Sequence, residues 1–319
     1  MSMKVGIMTT FNPETISVAL LSGGKSGERP ISLASGDGVY DALCKVGFKV
    51  DRIDPANKED LVRLVQGTYD VAFLVLHGKF GEDGTIQGML EILGIPYTGP
   101  GVWSSATAID KPKTKIYYKR HGIPTPDSFT LKSPTDKTAE EIAEALGSRC
   151  VIKAATEGSS LGFYLCNNIE EIEHALEEVF TIDNQALAET FVAGDEFTVA
   201  VLGNEDPEVL PVIQIVPMNE FYDFESKYAA GGSKHICPAP LTEELTAKAQ
   251  DIALRAHRAL ECRGVSRTDL LLDENGEFWA LETNTIPGMT PTSLLPDAAK
   301  AIGINFEELC TKMICNAMS

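Results

Sequence analysis

The chain has 319 residues, 44% of them hydrophobic and 23% charged, with a formal net charge of −19. That length suits about two or three compact units with sizeable cores. The acidic balance argues against nucleic acid or an anionic membrane surface as partner, but not against small anionic ligands, because local basic residues can override the global field.

The first fifteen residues, with Asn12-Pro13, read as an extension ahead of the first domain. Ile16 to Leu21 predicts a short apolar strand that runs into the loop Ser22–Glu28, followed by a helix over 32–46. A strand over 50–54, a helix over 58–66, a strand over 71–76 ending at His77-Gly78, and a helix over 85–93 stopped by Gly94 continue the alternation. Strand alternating with helix predicts a doubly wound parallel sheet, whose ligands lie beyond the carboxyl ends of its strands. The Ser22–Glu28 and His77–Gly84 loops both sit at such ends. Gly24-Lys25-Ser26 invites a P-loop reading, but that motif requires a glycine at position 19, where this chain has Ala19.

A break near Tyr97–Gly101 opens a second, α+β unit: a helix over 104–121, a strand Cys150–Lys153, a Gly/Ser turn over 157–162, a helix over 169–179 and a strand over 185–191. Lys153 at a strand end beside Gly158-Ser159-Ser160 has the makings of a phosphate-cradling hairpin, although lysines also guard exposed edges. The third unit carries strands over 197–202 and 209–216, then an irregular stretch from Phe221 to Pro240. Irregular loops of that length are usually functional, and the aromatics with Lys227 and Tyr228 favour a lid. Thr242 is read as the N-cap of a helix to Leu260, in a capping box. A C-terminal helix closes the chain. The units are 1–100, 101–193 and 194–319.

The segment Ser266–Asn284 holds two strand-like runs around Asn275-Gly276, the signature of a two-residue type I′ turn. In that register Asp269 lies opposite Glu282 and Arg267 opposite Asn284, so Asp269, Glu282 and Asn284 share one face. Leu270, Leu272, Trp279 and Leu281 take the other face, as a core would. Like charges opposed across a ladder destabilise it, so something positive belongs between the two acids. Three oxygen donors at an open site suit Mg²⁺; a solvated acidic edge is the plain alternative. Arg267 would serve as a counter-ion or as an oxyanion donor. Gly288, in Pro287–Ser293, would permit close backbone approach to a ligand.

Seven segments in order carry a resemblance over nearly the whole chain. They are GGKSGERPISLASG at 23–36, LHGKFGEDGTIQGMLEILGIPYTGPG at 76–101, DKPKTK at 110–115, VIKAATEGSSLG at 151–162, EFTVAVLG at 196–203, FYDFESKY at 221–228 and RTDLLLDENGEFWALETNTIPGMTPTSLLP at 267–296. The chain resembles the D-alanine–D-alanine ligases of the ATP-grasp superfamily. The resemblance implies an N-terminal α/β substrate domain followed by a two-part ATP-grasp fold. It implies two Mg²⁺ or Mn²⁺ ions on Asp269, Glu282 and Asn284. It places Lys111, Lys153 and Lys227 at the ATP phosphates, Glu189 and Val192 at the adenine, and Glu196 at the ribose. It assigns Glu28 to the first D-alanine's ammonium, in a set with Ser159 and Tyr228, and His77 to its carboxylate. Arg267 and the Gly288 N–H form the oxyanion site, and Ser293 and Leu294 border the second D-alanine. The implied partners are small molecules, ATP and D-alanine, with a homodimer in the cytoplasm and a role in peptidoglycan precursor synthesis.

The seven scattered cysteines, with no CxxC, fit a reducing compartment. No apolar run is long enough to span a membrane, and no secretion signal is visible. Ala154 stands where these ligases usually carry proline, and Thr292 where a histidine is frequent. The rival readings are a D-serine or D-lactate acceptor, another ATP-grasp ligase, or a silent nucleotide-binding homologue.

Overall fold

The computed structural model describes residues 12–158, 161–217 and 233–319. The N-terminal sheet is parallel, ordered β2-β1-β3, from β1 (Ser17–Leu21), β2 (Lys49–Ile53) and β3 (Val71–Leu74). Alternate residues of β1 bury on opposite faces. Val18 and Leu20 pack with Val39 and Leu43 of α1 (Arg29–Val46). Ala19 and Leu21 pack with Leu64 of α2 (Lys58–Gln66) and Ile86 and Leu90 of α3 (Thr85–Leu93). Both faces are therefore covered, which is why this strand is apolar throughout.

The expected single helix over 104–121 is two: α4 (Val102–Ala108) and α5 (Lys111–Arg120). Pro112 cannot donate a backbone hydrogen bond, and the Asp110 carboxylate caps the new N-terminus by accepting from the Lys113 N–H at 3.0 Å. The break places Lys111 on the first turn of α5, where it turns inward and is buried.

A four-stranded antiparallel sheet, β4-β7-β5-β6, follows. It is built from β4 (Ser128–Leu131), β5 (Cys150–Ala154), β6 (Phe163–Cys166) and β7 (Ala186–Thr190), backed by α6 (Ala139–Leu146) and α7 (Ile169–Ile182). β4, β6 and α6 are additions to the expected elements; α6 starts at a full capping box of Thr138 and Glu141.

The third sheet runs β11-β10-β8-β12-β13, with β9 on β8. Its strands are β8 (Gly194–Leu202), β9 (Glu208–Val209), β10 (Ile213–Pro217), β11 (Ser233–Ile236), β12 (Val265–Asp273) and β13 (Phe278–Asn284). β11 falls within the stretch expected to be irregular. Helix α8 (Glu243–Ala259) backs the sheet. Its cap is half of the expected box: Thr242 Oγ1 accepts from the Leu245 N–H at 3.2 Å, but the third residue after Thr242 is Leu245, which cannot reciprocate. The expected C-terminal helix is two, α9 (Leu294–Ala301) and α10 (Phe306–Ala317), packed with α1 and β8 in one core. All seven cysteines are free. Among the described residues no helix is long and apolar enough to cross a membrane.

The β12–β13 hairpin departs from its expected turn. Asp273 pairs with Glu277 around a three-residue loop, with Gly276 at φ 78°. The Asp273 carboxylate organises the loop, accepting from the N–H groups of Asn275 (2.9 Å) and Glu277 (2.9 Å) and from Trp279 Nε1 (3.0 Å). Leu272 then faces Phe278 and Leu270 faces Ala280. The core face is Leu270, Phe278 and Ala280; Trp279 and Leu281, expected there, are only partly buried. Leu281 is an extra residue, a β-bulge, after which Asp269 pairs with Glu282 and Arg267 with Asn284. The register expected at the acids is correct and the turn is not; one unpaired residue reconciles them. Without it Leu281 would face Asp269, and Glu282 would point to the core side.

The loop can be tested by itself. Deleting Glu274 leaves Asn275-Gly276 as a two-residue turn in the same register, at the expense of the Asp273 hydrogen bonds. The expected result is a Tm lowered by roughly 2–6 °C with turnover retained, read by thermal melting and by product formation. Lost turnover in a folded variant would show that the loop, and not only the register, shapes the site.

Candidate active site

Two cavities meet at the acidic face of the hairpin. The smaller, of about 90 Å³, is lined by Glu28, His77, Glu82, Arg267, Asn284 and Gly288 among others. The larger, of about 460 Å³, is lined by Lys153, Glu189, Val192, Glu196, Asp269 and Leu281 among others. Lys111, Glu157, Gly158 and Glu282 belong to both walls. Lys111 Nζ lies 4.0 Å from Glu282 Oε2.

Asp269 is held from three sides. Arg267 grips it with two parallel bonds, Nε to Oδ1 and Nη2 to Oδ2, each 2.9 Å. Thr198 Oγ1 donates to Oδ1 at 2.6 Å and Asn284 Nδ2 to Oδ2 at 3.0 Å. The bidentate fork is the strong form of such a pair. Arg267 on Asp269 and Lys111 beside Glu282 supply the positive charge that the opposed acids demand. Among the described residues no three His, Cys, Asp or Glu side chains gather as a metal cage. Glu282 and the amide oxygen of Asn284 offer hard oxygen donors that fit Mg²⁺ or Mn²⁺ sharing its sphere with phosphate oxygens, and Asp269, whose two oxygens already accept four hydrogen bonds, would join them by giving up part of the Arg267, Thr198 and Asn284 bonding.

The smaller cavity joins the N-terminal sheet to this hairpin. A Cβ on Gly78 or on Gly158 would come within 3.0 Å of Glu28 Oε2, so two backbones from different sheets converge on that carboxylate. His77 is buried, with Nε2 lacking a hydrogen-bond partner among the described residues. Burial lowers its pKa, with Arg267 adding to that and Glu28 opposing it. Glu82, which sequence reasoning left without a role, stands here. Burial first, then Glu28, pushes its carboxyl up to about 8, although it accepts from the Gly78 N–H at 2.7 Å. Its segment was visible as HGKFGEDG; its recessed position was not. A Cβ on Gly288 would meet Ser293 Oγ at 2.8 Å. Ser293 Oγ accepts from the Thr290 N–H at 2.9 Å, and Leu294 is buried in the core, so neither joins the walls of the two cavities.

In the larger cavity, Glu189 lies between two lysines. Lys153 Nζ contacts Oε1, and Lys115 Nζ lies 2.9 Å from Oε2. Burial would raise the Glu189 carboxyl, but Lys153 and Lys115 outweigh it and bring it down to about 2. Lys115 was not singled out from the sequence, although it ends DKPKTK. The backbone donors of the loop Gly23–Arg29 are taken up by its neighbours: Gly23 N–H donates to Ser32 Oγ and Gly24 N–H to Asp54, which Arg29 also binds. That disposes of the P-loop reading. Ser159, Lys227 and Tyr228 lie outside the described residues.

Sequence models of the D-ala D-ala ligase C-terminus and N-terminus match residues 117–315 and 54–100. The D-alanine–D-alanine ligase of Carboxydothermus hydrogenoformans is 46% identical over 302 residues, covering 93% of this chain and 96% of its own. The chain belongs to the D-alanine–D-alanine ligase family. Among solved structures, the Bacillus anthracis D-alanine–D-alanine ligase complexed with ATP superposes with a TM-score of 0.84 at 31% identity, covering 95% of this chain and 98% of that one. The VanG D-Ala:D-Ser ligase of Enterococcus faecalis does so with a TM-score of 0.83 at 31% identity, covering 95% and 99%. The three sheets are therefore those of an ATP-grasp ligase with its N-terminal α/β domain. The D-alanine–D-alanine ligase fold explains why a parallel sheet and two antiparallel ones surround a single pair of joined cavities.

Proposed function

We propose that this protein joins two D-alanine molecules at the expense of ATP, in the supply of peptidoglycan precursors. Membership of the family supports this, and the observation that carries it to a mechanism is the shared wall. Lys111 and Glu282 border both a nucleotide-sized cavity and a small polar one, where a carboxylate can meet a terminal phosphate.

The larger cavity takes ATP, with Glu189 and Val192 toward the base, Glu196 toward the ribose, and Lys111, Lys153 and Lys227 toward the phosphates. The smaller cavity takes the first D-alanine, its ammonium toward Glu28 in a set with Ser159 and Tyr228, and its carboxylate toward His77. Asp269, Glu282 and Asn284 hold Mg²⁺ or Mn²⁺, which when bound neutralises phosphate charge. The first D-alanine's carboxylate attacks the γ-phosphorus and ADP leaves, giving an acyl phosphate; the lysines position the chain and spread charge. The amine of a second D-alanine, for which Ser293 and Leu294 are proposed as neighbours although neither lines the two cavities, then attacks the acyl carbon. Arg267 and the Gly288 N–H stabilise the oxyanion until phosphate leaves. Water must be kept from the acyl phosphate, a reason for the lid expected over 221–240.

The units 1–100, 101–193 and 194–319 are proposed as the substrate domain and the central and C-terminal ATP-grasp subdomains. A homodimer in the cytoplasm is also proposed; the exposed Ile92, Val102 and Trp103 on the adjoining helices α3 and α4 support a partner surface there.

Incubation with ATP, Mg²⁺ and D-alanine should release phosphate and yield a product of the dipeptide's mass. Release that requires D-serine or D-lactate would shift the acceptor; no D-alanine-dependent release would overturn the proposal.

A further inference from the structure

We propose that Lys115 is a positioning residue that takes over the Glu189 carboxylate and so frees Lys153 for the phosphates of ATP. This rests on the nucleotide reading of the larger cavity.

Three buried charges form one line: Lys115 on α5, Glu189 on β7 and Lys153 on β5. Their sum is one positive charge. Lys153 and Glu189 line the cavity, whereas Lys115 stands behind them and touches no part of it. Lys115 meets Glu189 as an ion pair and is fixed there by two hydrogen-bond acceptors, Thr125 Oγ1 at 2.8 Å and the Pro126 carbonyl at 3.1 Å. Thr125 is itself anchored by donating to the Ala280 carbonyl at 2.8 Å.

With Lys115 present, Lys153 can swing to an incoming anion and Glu189 remains paired. The carboxylate stays ionised and aimed at the cavity as an acceptor. Without Lys115, moving Lys153 would leave a bare buried carboxylate, which is strongly unfavourable. Lys153 would then stay on Glu189, and the pair would offer a phosphate no net charge. The triad is in this sense a device for lending a charge without exposing its partner.

The charged groups that face Lys115 are Glu189 on β7, Lys153 on β5 and Lys119 on its own helix. Burial brings the Lys115 ammonium down to about 8 against the pull of Glu189. Its folded value is below the ordinary one, so Lys115 carries its charge below about pH 8 and loses it above.

The test compares ATP with adenosine by direct binding to the intact protein, using wild type, Lys115→Met and Lys115→Arg. Adenosine has no phosphate and does not ask Lys153 to move. We expect Lys115→Met to weaken ATP binding by at least about tenfold, the loss of one charge-assisted contact, with adenosine affinity changed far less. Lys115→Arg should restore ATP binding. Wild-type ATP affinity should fall as pH rises through about 8, while Lys115→Met stays flat and Lys115→Arg holds its affinity to higher pH. An equal loss for both ligands, with no rescue by arginine, would make Lys115 merely structural and overturn the inference. If Lys115→Met unfolds, Lys115→Gln takes its place in the comparison of ATP with adenosine, and an equal loss for both ligands overturns the inference. Should Lys153→Met leave ATP binding untouched, it is the nucleotide reading that fails.

Discussion

Glu282→Gln should reduce dipeptide formation by about two to three orders of magnitude while leaving the fold intact. The magnitude is that of removing one preorganised electrostatic contact from a transition state. The substitution is isosteric and the side chain is only partly buried, at the seam of both cavities. It relieves the repulsion with Asp269 across the ladder, so the melting temperature should hold or rise. Activity and stability thus move in opposite directions, as expected where a site is built against local stability. Asp269→Asn should behave alike in turnover but lose part of the Arg267 fork. Phosphate release with D-alanine, together with thermal melting, reads both. Turnover above a tenth of wild type in both variants would remove the two carboxylates from the chemistry.

Arg267→Met carries the second large effect. Its guanidinium is bonded twice to Asp269 and also lines the smaller cavity beside Gly288. As a counter-ion alone, its loss would mainly cost stability, softened because Thr198 and Asn284 still hold Asp269. As the oxyanion donor of the second step, its loss should lower kcat by about a hundredfold or more, with the KM for ATP little changed. Arg267→Lys should not rescue, because an ammonium cannot reproduce the planar fork. A kcat within about tenfold of wild type would reduce Arg267 to a counter-ion.

The hairpin shows which parts of the site are legible in one dimension. Period and composition place Asp269, Glu282 and Asn284 on one face, because alternation is local. Asn275-Gly276 does not form a two-residue turn because Asp273 captures three donors from the loop and the strand beyond it. That competition shows only once the chain is folded. The bulge at Leu281 restores at the acids the pairing that Asn275-Gly276 with a regular ladder would also reach. The break before Lys111 was readable from Asp110 and Pro112, and apolar spacing obscured it. Lys115 and Glu189, 74 positions apart (189 − 115), have no local signal at all. Buried ion pairs between distant strands and helices are set by packing, which no periodicity announces. Glu82 belongs with them: its raised carboxyl comes from burial and from Glu28, which lies far from it in sequence.

The wall common to both cavities has a consequence for how such a protein can diverge. A change at Lys111 or Glu282 is felt by nucleotide and amino acid together, so selection for a new acceptor cannot act there without disturbing the energy source. Novelty has to enter through positions that border one ligand only. Ile31 and Pro287, which line the smaller cavity and not the larger, are such positions. The architecture separates what must stay fixed from what is free to drift, and the dividing line is the short shared wall of Lys111, Glu157, Gly158 and Glu282.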